Sequence, residues 1–281
     1  MIYHITTENA WQSALKEQSY APENFQADGF IHCSDHYQLE NTANRFYNQT
    51  PGLIVLEIDP EKLTSNLVYE NLEGGQMPFP HIYGKLNLDA VVATFHFDRN
   101  QDGRLTLPEG RKHPEPSLLT EFPFHLAGKV FRSPTPGSRM FDPENKVLGL
   151  FKEKGINTVV VLNDEDEHVR HTGRLLLKRY RQAGYRIIYA PIPDFSAPES
   201  GYWDEAIAET IQAIQNGENV VIHCHAGIGR TGIFVALMAS QLLDLDGEQA
   251  VAWVRQTVPY AIDTQYQRSF VLDEIKRKRN A

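Results

Sequence analysis

The chain has 281 residues, 41% of them hydrophobic and 22% charged. That is enough for two globular domains, each with its own core, and unlike a disordered or fibrous chain. The formal net charge of −9 falls entirely in the first part: residues 1–110 hold 6 Lys/Arg against 15 Asp/Glu, and residues 111–281 hold 21 of each. An acidic first part argues against a nucleic-acid partner, because neutralising phosphates takes clustered Lys and Arg. The two cysteines, Cys33 and Cys224, are too few for a disulfide framework. The N-terminus lacks the basic-then-apolar pattern of a signal peptide, and no apolar run approaches the ~20 residues that span a bilayer. These features predict a cytoplasmic protein with no membrane partner.

Taken in chain order, residues 1–5 and 52–58 are rich in β-branched residues and predict strands, as does the alternation over 91–97. Residues 9–18 and 36–47 predict helices. A small α+β domain over 1–107 follows. Residues 108–117 concentrate Pro, Gly and charge and predict an exposed linker. A second domain, 118–281, then alternates. Apolar runs at 158–162, 186–190 and 219–223 predict strands buried on both faces, and residues 171–183, 203–215 and 229–243 predict helices. Repeated strand–helix order predicts an α/β domain with a mostly parallel central sheet flanked by helices. Ligands of such sheets bind beyond the carboxyl ends of the strands, which is where Cys224 falls.

The run Val220-Val-Ile-His-Cys-His-Ala-Gly-Ile-Gly-Arg-Thr-Gly232 is a strand, a glycine-containing loop and a helix start. A phosphate monoester needs a ring of N–H donors, a cation, and a nucleophile opposite its leaving group. A loop closing onto a helix N-terminus aims backbone N–H groups at one point and adds the positive helix end. Gly227 and Gly229 permit the tight turn, and Arg230 adds a planar fork suited to phosphate. Thiols in such surroundings ionise more readily than free ones. Thr231 is placed to hydrogen-bond the sulfur. The competing readings are weaker. A buried structural cysteine does not explain the two glycines, Arg230 and Thr231. Zinc on His223-Cys-His225 fails because adjacent residues point in alternating directions and no second Cys/His pair has ligand spacing. No metal and no cofactor is expected.

This run resembles the signature of the cysteine-based protein tyrosine/dual-specificity phosphatase superfamily, over roughly residues 120–278, with His225 where a small or polar residue is more usual. The resemblance implies Cys224 as nucleophile, Arg230 as phosphate clamp, and His225, Ala226, Gly227, Ile228 and Gly229 as the substrate cradle. A general acid is required on a separate loop. Asp194, in the proline-rich segment 189–198 and 30 residues before Cys224, resembles the family's mobile acid, although Ile192 stands where tryptophan is often found. Residues 261–271 resemble the segment opening the family's last helix. They imply a water-positioning glutamine at Gln267, with Gln265 as competitor, and Asp263 near the helix cap. The expected activity is phosphomonoester hydrolysis through phosphocysteine. Protein phosphotyrosine is the first substrate expected and phosphoserine/threonine the second. The alternatives are a small phosphorylated nucleotide or ADP-ribose-like ester, or a phosphate-binding adaptor without turnover.

In the first domain, Tyr3-His-Ile-Thr, Asp28-Gly-Phe-Ile-His-Cys-Ser34 and Phe79-Pro-His-Ile-Tyr-Gly84 concentrate His, Tyr and Gly. Together they resemble the bacterial domain of unknown function 952 family over about residues 1–105. Kinship of that family with the ADP-ribosyltransferase fold implies a nucleotide ligand held by His4, His32 and His81. The plain alternative is a binding or packing domain whose histidines are buried and hydrogen-bonded, and a metal site on them is a third.

Overall fold

Ile2, Ile5, Thr6 and Thr7 open the chain as strand β1 (Ile2–Thr7), because side chains branched at Cβ suit a pleated, covered surface. The computed structural model describes residues 1–72, 79–112, 117–262 and 264–280. The chain divides into two units, Met1–Pro114 and Glu115–Ala281.

In the first unit Thr7 ends β1 and caps helix α1 (Glu8–Glu17), its hydroxyl accepting from Ala10 N. There follow α2 (Phe25–Asp28), β2 (Ile31–His32), α3 (Leu39–Phe46), β3 (Leu53–Ile58), β4 (Asn66–Glu70), β5 (Phe79–Tyr83), β6 (Val91–Phe95), β7 (Asp98–Arg99) and β8 (Leu105–Thr106). The helix predicted over 36–47 starts as a 3-10 turn, His36–Gln38, before α3. Strands β1, β3 and β6 form one antiparallel sheet and β2, β5 and β4 another. Alternate residues of β1 and β3 enter two separate cores: Ile2, Ile54, Leu56 and Ile58 one, Tyr3, Ile5, Leu53 and Val55 the other. The unit reaches into the predicted linker. Arg111 pairs with Glu57 at 2.5 Å, lies over the Phe95 ring at 4.9 Å, and its carbonyl meets His36 Nε2 at 2.7 Å.

The second unit holds β9 (Thr120–Phe122), β10 (Val130–Ser133), α4 (Val147–Glu153), β11 (Ile156–Val161), α5 (Glu165–Thr172), α6 (Leu176–Gln182), β12 (Arg186–Tyr189), α7 (Asp204–Gln215), β13 (Asn219–His223), α8 (Gly229–Leu243), α9 (Gly247–Thr257) and α10 (Gln265–Arg279). Its sheet has the order β12-β11-β13-β10-β9, parallel except for the edge strand β9, as the alternating pattern predicts. The continuous apolar runs follow from burial on both faces. Val160, Val220 and Ile222 pack with Ile207, Phe234 and Val254, whereas Val159, Val161 and Val221 pack with Phe151, Leu177 and Tyr180. The single helix predicted over 171–183 is two. Gly173 takes the left-handed conformation (φ +71°) and ends α5, a conformation that stops helices and suits glycine. The expected cap residue Asp263 lies outside the described residues. Thr264 caps α10, its hydroxyl accepting from Gln267 N at 3.0 Å. No helix among the described residues is long and apolar enough to cross a membrane.

Candidate active site

Central strand β13 delivers Cys224 to the carboxyl edge of the sheet, and the chain turns through residues 224–228 into α8. Every carbonyl of that turn is held by a donor. Thr135 serves two, its hydroxyl donating to Cys224 O (2.8 Å) and its N–H to His225 O (2.9 Å). The wholly buried Arg132 on β10 serves the next two, through Nη2 to Ala226 O (2.5 Å) and Nε to Gly227 O (3.0 Å). Gly232 N takes Ile228 O. With the carbonyls so occupied, the N–H groups of residues 225–230 meet no protein acceptor among the described residues. They form the donor cradle that an anion at a helix N-terminus requires. Burial lowers the Arg132 guanidinium to about 10, so it keeps its charge at neutral pH.

Gly227 shows why this turn needs glycine. Its φ is +73°, and a Cβ there would lie 2.3 Å from Ser133 O and 2.4 Å from Arg132 Nη2. Gly227→Ala is expected to cost about 1–3 kcal/mol of stability and to displace Arg132. The urea midpoint reads the first and kcat the second, and a variant indistinguishable from the parent in both would refute this account of the turn.

Arg230, in the first turn of α8, is 1% exposed. Its guanidinium meets Glu167 twice (Nη1–Oε2 2.8 Å, Nη2–Oε1 2.7 Å), Ile192 O at 3.0 Å and Asp194 Oδ1 at 2.7 Å. Burial works against the charge, but the bonds from Glu167 outweigh it and the group is raised. Cys224, 2% exposed, lies within electrostatic reach of both Arg132 and Arg230.

Asp194 stands on the loop after β12. The base of that loop is fixed by Ala190 N to Val161 O and Ile192 N to Leu162 O, and by Trp203, whose Nε1 donates to Ala190 O at 2.9 Å. The loop thus has its tryptophan anchor from the start of α7, not from the position of Ile192. Asp194 is half-buried, and burial raises its carboxyl above the usual range against the pull of Arg230. Gln267 is buried, donates to Ser196 O of the same loop at 3.2 Å, and lies against Gly229. Gln265 is only half-buried at the start of α10, so the structure brings Gln267 rather than Gln265 to the loop. The sulfur–hydroxyl bond expected of Thr231 is not formed: its hydroxyl is enclosed in the first turn of α8 and has no hydrogen-bond partner. His223, behind Cys224, meets Tyr180 OH at 2.9 Å, and burial lowers it well below the usual imidazole range.

Residues 137–244 match the family model described as "Polymorphic toxin system, DSP-PTPase phosphatase", and residues 5–94 match "Protein of unknown function (DUF952)". The chain joins a DUF952 domain to a DSP-PTPase phosphatase domain. The chain is 30% identical over 105 residues to cyclin-dependent kinase inhibitor 3 of Rattus norvegicus, covering 37% of this chain and 50% of that protein. It is 36% identical over 94 residues to tyrosine-protein phosphatase non-receptor type 7 of Mus musculus, covering 31% and 26%. The chain thus spans half or less of the length of these relatives. A crystal structure of kinase associated phosphatase, its catalytic-site cysteine replaced by serine, shares the fold at 22% identity and a TM-score of 0.53, covering 60% of this chain and 99% of that one.

Sequence reasoning about the phosphatase domain missed Glu167, Arg132 and His171. Glu167 follows Asp164, Glu165 and Asp166 and reads as one more acid at a helix start. Arg132 carried a signal, being a lone cation inside the apolar strand Val130–Ser133. His171 stacks on His225, ring centroids 3.5 Å apart.

In the DUF952 domain the three histidines are linked in sequence, His4 to the backbone of His32 and the His32 ring to that of His81. Both nitrogens of His4 are engaged, Nδ1 with His32 O (2.6 Å) and Nε2 with Tyr20 OH (2.7 Å), and burial lowers it to about 4. Its ring is a packed, neutral strut. His32 and His81 face each other across β2 and β5, rings 5.0 Å apart, with Phe30 against both. His81 is held by Glu70 at 3.1 Å.

Proposed function

We propose that the DSP-PTPase domain hydrolyses phosphomonoesters through a phosphocysteine intermediate, with protein phosphotyrosine as its substrate. The observation that carries this reading is the turn 224–228, whose carbonyls are all bound outward around a cysteine while Arg230 is held beside it by Glu167.

In the first step the Cys224 thiolate attacks phosphorus. An S–P bond forms, the P–O ester bond breaks, and Asp194 gives its proton to the departing oxygen. Loop N–H groups and Arg230 hold the equatorial oxygens, where negative charge gathers. In the second step water attacks phosphorus, Asp194 takes its proton, the S–P bond breaks, and phosphate leaves with the thiolate restored. Gln267, between the acid loop and Gly229, is placed to orient that water. The chemistry calls for no metal, so activity is expected to persist in excess chelator.

Two facts support phosphotyrosine. Both relatives' names place them with protein phosphatases or kinase regulation, and the loop offers His225 and Ile228 rather than lysines that would answer a polyphosphorylated ring. Turnover of a phosphotyrosyl peptide is expected to exceed that of a phosphoseryl peptide, a phosphoinositide and a nucleoside monophosphate. The reverse order would move the assignment to a small ester.

The acid carries its own prediction. Because burial raises Asp194, it stays protonated to a higher pH than an ordinary carboxyl, and the basic limb of kcat/KM shifts upward accordingly. Asp194→Asn is expected to lower kcat about 10²–10⁴-fold and to remove that limb from the pH profile. A variant that keeps the limb would show that another group is the acid.

A further inference from the structure

We propose that the phosphatase domain carries a site for a zinc-class divalent cation, formed by Glu167, His171 and His225, whose occupation stops turnover. Each residue offers one ligand atom, and the three lie within 4.8 Å of one another. Glu167 and His171, four apart on α5, share a helix face, and His225 comes from the turn after β13. The His171 and His225 rings are nearly parallel (18°) at 3.5 Å. Two ligand atoms on a tetrahedral zinc with bonds of ~2.0–2.1 Å lie about 3.4 Å apart, inside the 4.8 Å that bounds the three ligand atoms here, and binding requires one of the stacked rings to turn so that both in-plane lone pairs meet the ion. His225 Nε2 is buried with no hydrogen-bond partner, a ligand atom stripped of water and otherwise unused. Phe141 packs edge-on to the His225 ring at 4.9 Å and keeps it in place. His171 is only half-buried, which gives an ion a way in. Two imidazoles and one carboxylate suit zinc or cobalt better than magnesium or calcium, which prefer oxygen alone.

The consequence for turnover follows from Glu167, both of whose oxygens hold Arg230. A dication drawing on that carboxylate competes with Arg230 for it and loosens the clamp over the loop. This inhibitory effect rests on the function proposed above, whereas binding of the ion does not.

Cobalt(II), which stands in for zinc and reports its ligands by colour, separates the two. The full chain carrying Cys224→Ser is expected to bind one equivalent with the visible absorption of a nitrogen/oxygen site. Adding either His171→Ala or His225→Asn is expected to weaken binding at least about tenfold. With Cys224 intact and no chelator, zinc is expected to inhibit hydrolysis of p-nitrophenyl phosphate. His171→Ala, measured against its own metal-free rate, is expected to need at least about tenfold more zinc. The site is overturned if the Cys224→Ser chain binds no cobalt, if both histidine variants titrate like their parent, or if His171→Ala is inhibited as readily as wild type, since zinc then acts on the Cys224 sulfur. A chain that binds cobalt through His171 yet hydrolyses no phosphate ester bears out the cation site and refutes the reaction.

Discussion

Cys224→Ser is expected to lower hydrolysis of p-nitrophenyl phosphate at least about ten-thousandfold while the chain remains folded. Serine differs from cysteine by one atom, and the cradle around it depends on other residues: Thr135 and Arg132 hold the carbonyls, and Glu167 holds Arg230. The thermal midpoint is therefore expected to move by no more than about 2 °C. Binding of phosphate or vanadate is expected to survive, because the N–H groups and guanidinium that meet the anion are untouched. Only the nucleophile is lost, since a serine hydroxyl at neutral pH is a poor one without a neighbouring base. Turnover kinetics beside a vanadate titration check this. Residual activity above one part in about a thousand would mean that the sulfur does not form the intermediate.

Arg132→Met is expected to lower both stability and turnover, at a residue that touches no substrate. Its guanidinium is wholly buried and binds Ser117 O, Ala226 O and Gly227 O. Methionine fills much of the volume and supplies none of the donors. Two carbonyls of the turn are left without partners, and one peptide unit turned inward would aim an oxygen at the phosphate. A loss of about 2–4 kcal/mol of stability is expected from the unpaired groups. A fall in kcat of about a hundredfold is expected from donors displaced by an ångström or so. Arg132→Lys is expected to restore little, because an ammonium cannot reach two carbonyls with a fixed fork. Urea unfolding and steady-state kinetics measure the two effects. Arg132→Met with normal kcat would show that the turn holds its shape by itself.

What the sequence revealed of the site follows the range of the interactions. Cys224, Gly227, Gly229 and Arg230 lie within seven consecutive residues, and a strand, a turn and a helix start leave few ways to arrange them. The strand 219–223 and helix 229–243 occur where the pattern predicts. Asp194 is separated from the motif by α7 and β13, yet the mechanism demands an acid and the proline-rich loop marks a place for it. Glu167 and Arg132 answer to no local rule. Each is functional only through a partner 63 and 95 residues away, and their surroundings read as a helix start and a strand. The helix expected over 171–183 failed at Gly173, whose positive φ outweighed the run of good helix formers around it. In the first domain, three histidines on strand-like segments read as a single group. Strand pairing sets His32 beside His81, and His4 joins them through the His32 carbonyl while its other nitrogen meets Tyr20.

In the proposed reaction, the contact between Asp194 and Arg230 would link capture of substrate to the loading of a proton. Asp194 shares that guanidinium, whose positive charge favours the ionised carboxylate, the form unable to serve as an acid. A phosphate dianion that takes over Arg230 leaves Asp194 facing two negative charges in half-buried surroundings, and both influences drive the carboxyl to take up a proton. In the proposed reaction the acid is thus charged by the arrival of the molecule it will protonate.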